Sequence, residues 1–367
     1  MNNKVARIIG RSVASGVALY ILTEAAIAGT VLQTNLVSDV PGMAAFTDPN
    51  LQNPWGISFS ATSPFWISDA ASNVTTLYSA TGAVNSRVVT IPGGPTGQVQ
   101  NSAGAGNFLV GGTAASFIFD TLGGSIYAWN AGAGSAAQLE ASTGGASFTG
   151  LALDNNGSGN YLYAANSAGS GGIDVFNSSF TSTTLLGSFI DPDLPAGYVP
   201  YNIQTIGGEL YVEYENPASQ RTLGSGVVSV FDANGNFITQ LIGPGGQLEA
   251  PWGIVVAPSS FFDFPNALLV GNFGNGEINA FNPTTGAFLG TLTDSSGNPI
   301  VNQDLWALAV DPGANPNAVY FTAGIDHQTE GLFGELTSTA PEPGSFAMGA
   351  LGCMALGLLA YRRRSLR

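Results

Sequence analysis

The stretch LLVGNFGNGEINAFNPTTG (268–286) contains two apolar runs on either side of the glycine-rich loop GNFGNG. Such a loop is typical either of a tight turn between two strands or of a cradle for a phosphate group. A phosphate cradle requires a helix directly after the glycines, and no apolar period of 3.6 residues follows here. The stretch therefore predicts a β-hairpin whose polar residues form the turn.

A tryptophan motif precedes this hairpin, and it occurs three times, as NPWGISFS (53–60), APWGIVVA (250–257) and DLWALAV (304–310). Weaker copies begin at positions 95, 147 and 201, so the six starts lie 42 to 54 residues apart. Each copy is followed by two β-like runs around a polar turn, and five of the six are followed by a further outer run. Six units of four short strands predict an all-β fold, a six-bladed β-propeller with four-stranded blades.

The sixth unit supplies only three strands, whereas TVLQTNLVSD (30–39) is a strand without a unit of its own. We predict that this N-terminal strand completes the sixth blade as its outer strand. Closing the ring in this way joins the two ends of the body and removes an exposed sheet edge.

The charges of the chain are unevenly distributed. Between residues 29 and 340 only Arg87 and Arg221 are basic, against 22 acidic residues, which gives this interval a formal net charge of −20. Nucleic acids and anionic lipid surfaces bind clustered cations, so this composition excludes both as partners of the body. Divalent cations are the class of ion that such a body attracts.

Both ends of the chain have the features of targeting segments. Residues 1–28 combine a basic start, the apolar run SVASGVALYIL (12–22) and a small-residue cleavage site, which predict a signal peptide with its helix. The tail 341–367 contains an uncharged segment (344–361) long enough for a transmembrane helix, followed by arginines that stay in the cytoplasm. Its motif residues are Pro341, Glu342, Pro343, Arg362, Arg363 and Arg364. A buried N-terminal helix and a plain C-terminal anchor are the alternatives.

Five oxygen-bearing side chains are predicted to end the second strand of five blades: Asp69, Asp120, Asn166, Glu213 and Asn272. Two interpretations stay open, because such residues favour turns but also converge at one rim of a propeller. Carboxylate and amide oxygens are the ligands that calcium prefers, so a metal ring is the functional alternative. No resident cofactor is predicted, and calcium is the ion such a ring would take.

Three tryptophans, Trp55, Trp252 and Trp306, begin predicted inner strands. We predict a structural role in packing between blades, with sugar-binding platforms as the alternative. His327 is the only histidine, and the single Cys353 lies in the tail, so the body lacks an ordinary zinc set. No catalytic residue is predicted.

Taken together, the tryptophan motifs, the segment DPDLPAGYVPYNIQ (191–204) and the tail resemble an uncharacterised family of exported bacterial proteins with a PEP-CTERM sorting signal. The blade pattern is similar to that of NHL-type propellers. The resemblance implies an exosortase-type processing protease, a transient inner-membrane anchor through the tail, and delivery to the outer surface or extracellular matrix of a Gram-negative bacterium.

From this resemblance and the acidic body we expect a propeller domain (29–340) that acts as a binding module for an extracellular polysaccharide or a surface protein. The alternative is a metal-dependent hydrolase, since lactonase-type propellers hold a metal in their central channel.

Overall fold

The computed structural model describes residues 30–339, apart from 170, 312 and 314, and this part of the chain forms six antiparallel blades. The prediction of an all-β, six-bladed β-propeller is therefore confirmed. No helix in the described ranges is long and apolar enough to cross a membrane. The predicted signal peptide (1–28) and the predicted sorting tail (341–367) lie outside the described residues.

The strands follow the repeat pattern. The chain begins with β1 (Thr30–Ser38) and the short β2 (Phe46–Thr47). From the axis outward, blade 1 consists of β3 (Pro54–Ser58), β4 (Phe65–Asp69), β5 (Val74–Tyr78) and β6 (Val89–Thr90). Blade 2 consists of β7 (Pro95–Gln100), β10 (Phe117–Thr121), β11 (Ser125–Trp129) and β12 (Gln138–Ser142). Blade 3 consists of β13 (Phe148–Asn155), β14 (Asn160–Asn166), β15 (Gly172–Asn177) and β16 (Ser182–Thr183). A small hairpin, β8 (Leu109–Val110) with β9 (Thr113–Ala114), is inserted in blade 2.

Blades 4 to 6 repeat the arrangement. Blade 4 consists of β17 (Val199–Ile206), β18 (Glu209–Glu215), β19 (Gly226–Phe231) and β20 (Phe237–Ile242). Blade 5 consists of β21 (Pro251–Val256), β22 (Leu268–Asn272), β23 (Ile278–Phe281) and β24 (Phe288–Thr291). Blade 6 consists of β25 (Leu305–Ala309), β26 (Ala318–Ala323) and β27 (Leu332–Thr339), and β1 is its fourth strand. The helical segments of the described chain are short, and they are Ala131–Ala133, Pro217–Ser219 and α1 (Ile325–Gln328).

The N-terminal strand closes the ring, as predicted. β1 pairs antiparallel with β27 from Thr30 opposite Thr339 to Ser38 opposite Leu332, with one irregularity between Asn35 and Val37. β2 then pairs with β1 in parallel and adds a fifth strand to this blade. Because the first and last strands of the body share one sheet, neither end of the ring presents an open strand edge at this junction.

The core consists of layers between neighbouring blades. Alternate residues of β4 point to opposite neighbours: Ile67 belongs to a cluster shared with blade 6, whereas Trp66 belongs to a cluster shared with blade 2. All five residues of β4 are buried for this reason. A strand covered on both faces reads as a continuous apolar run, which explains why the second strands lack a clear polar face in the sequence.

The glycine-rich loop of blade 5 is a turn. The amide of Gly276 donates to the carbonyl of Asn272 at 3.0 Å, and the amide of Asn272 donates to the carbonyl of Glu277 at 2.9 Å. Gly276 has a φ of 77°, a conformation that glycine adopts without steric cost. The next element is strand β23, so the hairpin predicted at 268–286 is confirmed.

Candidate functional site

The six inner strands meet at the propeller axis through one repeated position, the residue after the tryptophan of the motif. This position holds glycine in four blades, and its occupants in blade order are Gly56, Gly97, Gly150, Asn202, Gly253 and Ala307. A Cβ atom on Gly56 would lie 2.6 Å from the carbonyl oxygen of Thr96 in the next blade. The motif requires glycine there because the backbones of neighbouring inner strands touch.

Where glycine is absent, side chains join one blade to the next. The amide Nδ2 of Asn202 in blade 4 donates to the carbonyl of Trp252 in blade 5 at 2.5 Å. Across the closing junction, Thr322 Oγ1 of blade 6 donates to the carbonyl of Trp55 in blade 1, also at 2.5 Å. These contacts join blade 4 to blade 5 and blade 6 to blade 1 next to the channel.

Aromatic side chains close one end of this channel. Trp55, Tyr201, Trp252 and Trp306 come from blades 1, 4, 5 and 6, and they contact one another. The rings of Trp55 and Trp306 stack with centroids 3.4 Å apart, and the Trp55 and Trp252 rings meet edge to face at 5.9 Å. Residues from blades on opposite sides of a ring touch only at its axis. We call this group the aromatic plug.

The plug is buried and partly hydrogen-bonded. All four residues are 5% exposed or less. Trp252 Nε1 donates to the carbonyl of Thr149 at 2.8 Å, and Trp306 Nε1 donates to Asn53 Oδ1 at 3.0 Å. The predicted structural tryptophans are thus brought together on the axis, and no sugar could reach their faces without displacing the residues around them.

A loop from blade 4, residues 216–225, covers the plug from outside. Arg221 on this loop donates from Nη1 to the carbonyl of Gly274 at 2.8 Å and forms an ion pair with Asp304 of blade 6. Its guanidinium carbon lies 4.9 Å from the ring centroid of Phe273. Since Asp304 is fully buried, Arg221 compensates a carboxylate that would otherwise be isolated from water.

The other end of the channel is open, and we call it the channel mouth. An inner cavity of about 160 Å³ is lined by all six inner strands, and it continues into an outer cavity of about 240 Å³. The walls combine aliphatic side chains with the ring of Phe59 and the amides of Gln98, Gln100 and Gln204. No charged side chain lines either cavity in the part of the chain that the structure describes.

The amides at the mouth are not equivalent. Gln98 is buried, and its Nε2 donates to the carbonyls of Gly56 at 2.7 Å and Trp66 at 2.8 Å, while its Oε1 accepts from Ser58. It therefore braces blades 1 and 2. Gln204 is exposed and has no recorded side-chain hydrogen bond to a described residue, so its amide is available to a ligand.

The five predicted oxygen-bearing residues do not share one strand position. Asp69, Asn166 and Asn272 pair with Pro54, Phe148 and Pro251, the first residues of their inner strands. Asp120 and Glu213 lie one residue earlier, because the residues that pair with the corresponding prolines of blades 2 and 4, Pro95 and Pro200, are Thr121 and Tyr214. One residue of difference turns a side chain to the opposite face of its sheet.

The first set serves turns and blade contacts. Asn166 Oδ1 accepts from the amides of Ser147 and Ala168, and Asn272 Oδ1 accepts from the amide of Glu249. Asp69 Oδ2 accepts from Thr76 Oγ1 at 2.8 Å. Burial raises the pKa of Asp69 well above its ordinary value, a change that the Thr76 hydrogen bond opposes and the nearby Asp48 carboxylate increases.

The second set lies beside the axis. Asp120 accepts from Thr96 Oγ1 at 2.7 Å, and burial raises its pKa to about 7 against the opposing hydrogen bonds from Thr96 and backbone amides. Glu213 is fully buried, and neither of its carboxylate oxygens has a partner among the described residues. Burial raises the pKa of Glu213 well above its ordinary value, because desolvation penalises the charged form of the carboxyl group.

Within the described residues, no three or more His, Cys, Asp and Glu side chains form a group that could hold a metal ion. His327 lies at the surface in α1 and approaches Gln303 Nε2 through Nδ1 at 3.3 Å. The sequence analysis missed the Arg221–Asp304 pair and the available amide of Gln204. The pair joins residues 83 positions apart, so no local pattern indicates it.

Two viral proteins are similar to this chain over most of its length. The uncharacterized protein R648 of Acanthamoeba polyphaga mimivirus is 32% identical over 325 residues, which span 82% of this chain and 78% of R648. The uncharacterized protein L690 of the same virus is 30% identical over 325 residues, which span 82% of this chain and 84% of L690. No protein-family model matches the chain.

Solved structures share the fold at low sequence identity. A candidate gluconolactonase superimposes with a TM-score of 0.53 and 14% identity, over 85% of this chain and 92% of the other. A catalytically inactive virginiamycin B lyase from Staphylococcus aureus, solved with quinupristin, gives a TM-score of 0.51 and 13% identity, over 84% and 99% of the two chains. At this identity the likeness establishes a common architecture and carries no activity. By its similarity to the viral proteins, the chain belongs to the same family as the uncharacterized mimivirus proteins R648 and L690.

Proposed function

We propose that this protein is an exported binding module that takes an uncharged ligand, a neutral segment of an extracellular polysaccharide, into the channel mouth. The observation that carries the proposal is the lining of the mouth, which combines apolar walls with the free amide of Gln204 and lacks charge. A charged ligand would lose its hydration there without gaining a partner, whereas sugar hydroxyl groups match amide donors and acceptors.

The size of the mouth limits how a ligand binds. Its two cavities, about 160 Å³ and about 240 Å³, are continuous, and together they lie near the lower end of the roughly 300–1,000 Å³ typical of sites for drug-sized ligands. The aromatic plug closes the far end of the channel, so a ligand can enter from one side only. These features favour binding of a chain end or a single projecting sugar residue.

A substitution that fills the mouth tests this proposal. We expect Gln204→Trp to occupy the space next to the exposed amide, and Thr239→Trp on the exposed face of β20 to serve as the matched control. On an array of neutral glycans followed by calorimetry, the wild-type protein and Thr239→Trp should bind the same glycan, and Gln204→Trp should bind at least about tenfold more weakly. Equal binding by both variants, or no binding by the wild-type protein, would contradict the proposal.

Export is the second part of the proposal, and the features of the two chain ends support it. We propose that residues 1–28 direct secretion and that 341–367 act as a PEP-CTERM sorting tail processed by an exosortase-type protease. Deletion of 341–367 should change the fraction of the protein found in membranes, on the cell surface and in the medium. Identical fractionation of the full-length protein and the variant without 341–367 would contradict the proposal that this segment is a sorting tail.

A metal-dependent hydrolase of the lactonase class is the second candidate function, and one observation favours it. Glu213 is fully buried, and neither of its carboxylate oxygens has a hydrogen-bond partner among the described residues. Because Asp69, Asn166 and Asn272 face away from Asp120 and Glu213, the five predicted oxygen donors do not form one ring, and this candidate rests on Glu213 with calcium as the predicted ion. Calorimetric titration with calcium tests this candidate, since binding at millimolar calcium that is lost in Glu213→Gln would support it and the absence of binding would reject it.

A further inference from the structure

A groove at the surface between blades 1 and 2 has an aromatic floor. Trp66 of β4, Phe117 of β10 and Trp129 of β11 pack together there, and each is 5% exposed or less. The rings of Trp66 and Phe117 stack with centroids 4.3 Å apart, and those of Trp66 and Trp129 are 4.8 Å apart. The groove has a volume of about 470 Å³, within the range of small-molecule sites. We call it the 1–2 groove.

Polar, mostly uncharged groups surround this floor. Hydroxyl and amide side chains line the groove, and they are Ser60, Ser63, Asn85, Gln100 and Ser116. Such groups donate and accept hydrogen bonds without demanding a charge from the ligand. Because the aromatic residues of the floor are 5% exposed or less, the polar rim supplies most of the contacts to a ligand, and such a rim suits a hydroxyl-rich molecule.

One cation completes the groove. The guanidinium carbon of Arg87 lies 5.3 Å from the ring centroid of Trp129, and the side chain is exposed. Among the described residues, Arg87 forms no ion pair, whereas the other arginine, Arg221, is paired with Asp304. The backbone amide of Arg87 donates to Asn85 Oδ1 at 2.9 Å, but no described residue accepts a hydrogen bond from its guanidinium. Its fork of N–H donors is therefore free for a ligand.

A second donor in the same groove also lacks an acceptor. Trp66 is 3% exposed, and no described residue accepts a hydrogen bond from its buried Nε1. A buried donor without a partner destabilises the folded protein, because it has lost its hydrogen bonds to water without replacing them. Folding alone does not require this arrangement, because Trp129, in the same cluster, does satisfy its Nε1 through the carbonyl of Gly134 at 2.9 Å.

We propose that the 1–2 groove binds a carboxylated sugar, a uronic-acid residue of an extracellular polysaccharide. The carboxylate accepts two parallel hydrogen bonds from the Arg87 guanidinium, the geometry for which arginine is suited. The hydroxyl groups of the sugar bind the neutral rim, including Asn85 and Gln100. A single guanidinium matches a single carboxylate, whereas a polyphosphate or nucleic acid needs clustered cations that this acidic body lacks.

This site adds to the proposed function and does not depend on the channel mouth. Gln100 lines both the 1–2 groove and the outer cavity of the mouth, so the two sites open beside each other. Their chemistry differs, because the mouth is uncharged and the groove carries Arg87. A single polysaccharide with neutral and acidic residues could occupy both, and separate probes distinguish them.

The test uses the full-length chain, purified in a mild detergent, with a trisaccharide that contains one uronic-acid residue between two neutral sugars as the probe. Its methyl ester is the matched neutral ligand, since it has the same skeleton without the charge. Titration calorimetry should show binding of the acid, weakening as salt is raised, and at least about tenfold weaker binding of the ester. Arg87→Gln should weaken binding of the acid at least about tenfold, and Arg87→Lys should give an intermediate affinity because it keeps the charge without the planar fork.

Two controls separate this site from folding defects and from the channel mouth. Arg87→Gln should unfold at the same temperature as the wild-type protein, because the side chain is exposed and unpaired. Gln204→Trp should bind the trisaccharide acid normally even though it blocks the mouth. Unchanged affinity in Arg87→Gln, equal binding of the acid and the ester, or a groove that takes a sugar phosphate or an aromatic peptide and not the acid would overturn the proposal.

Discussion

The close approach of the inner strands makes a quantitative prediction about Gly97. A Cβ atom added there would lie 2.7 Å from the carbonyl carbon and 2.8 Å from the Cα atom of Gly150 in blade 3, and closer still to the amide nitrogen of Leu151. Ordinary contacts of a Cβ atom begin at 3.4 Å, so the two inner strands must separate by roughly 0.7 Å or more. The neighbours are backbone atoms of a paired strand and cannot rotate away.

Gly97→Ala should therefore destabilise the propeller. Overpacking of a well-packed interior costs typically about 1–3 kcal/mol, and the rigid neighbours place this substitution at the upper end of that range. The backbone of Gly97 does not have a positive φ, so alanine adds no conformational strain and the cost reflects space alone. The free energy of unfolding, measured by urea denaturation followed by tryptophan fluorescence, should fall by about 2–3 kcal/mol.

Gly144→Ala is the matched control. A Cβ atom at Gly144 meets nothing within 4 Å, and this glycine also lacks a positive φ. Restriction of the unfolded chain should then leave stability unchanged or raise it by up to about 1 kcal/mol. If Gly97→Ala were as stable as Gly144→Ala, the inner strands would not touch at the axis, and the account of the tryptophan–glycine motif would be wrong.

Two further predictions concern charges. Arg221→Ala should lower the free energy of unfolding by about 1–3 kcal/mol, because it leaves the buried Asp304 carboxylate unpaired. Arg87→Ala, at the other arginine of the body, should leave the free energy of unfolding unchanged. Equal effects of the two substitutions in urea denaturation would contradict the stabilising role of the Arg221–Asp304 pair. The second prediction concerns Asp39, whose pKa is raised to about 7 by burial and by its hydrogen bond to the Glu330 carboxyl group. The folded protein holds this proton up to about pH 7 and the unfolded chain releases it near 3.8, so the contribution to stability is complete below pH 4 and is lost as the pH rises towards 7. Asp39→Asn should therefore show a smaller fall of the urea midpoint between pH 5 and pH 8 than the wild-type protein, and parallel curves would refute the assignment.

The sequence was sufficient to predict the architecture because the propeller repeats one local pattern six times. The tryptophan motif marks the inner strand of each blade, and the missing fourth strand of the last unit predicts the role of β1 in closing the ring. Both inferences depend on strand patterns and counts, which do not change when individual contacts vary. The hairpin at 268–286 follows from turn chemistry in the same way.

The details of the axis could not be predicted because they depend on register and on distant contacts. In blades 2 and 4 the proline of the inner strand pairs with the residue after the acidic side chain, Thr121 or Tyr214, so Asp120 and Glu213 face the other way from Asp69, which pairs with the first residue of its inner strand. The sequence does not show at which residue the pairing of a strand ends, and a difference of one residue changes the face on which a side chain lies. Trp55 and Trp252 likewise meet only because the ring is closed, and no local sequence pattern indicates this contact.

The 1–2 groove was hidden for a related reason. Its floor combines Trp66 of blade 1 with Phe117 and Trp129 of blade 2, which lie about one repeat or more further along the chain. Neither blade alone forms the groove. In the sequence, Arg87 is distinguished only as one of the two basic residues in the acidic interval 29–340. Its free guanidinium above Trp129 becomes visible only when the blades are packed together.

A disulfide engineered between β1 and β27 tests the central claim, the closure of six blades into one ring by the N-terminal strand. Thr34 lies directly opposite Glu335, and opposed residues of an antiparallel pair have Cα atoms about 4.5–5.5 Å apart, within the range that a disulfide bridges. The only native cysteine in the sequence, Cys353, lies outside the described residues, and replacing it with serine leaves the engineered pair alone. Mass spectrometry of the oxidised protein should show the Thr34→Cys/Glu335→Cys cross-link in high yield, and little cross-link in Thr34→Cys/Leu336→Cys, whose second position points to the other face. Equal yields in the two variants, or no cross-link in either, would contradict the closure on which the channel and both proposed sites depend.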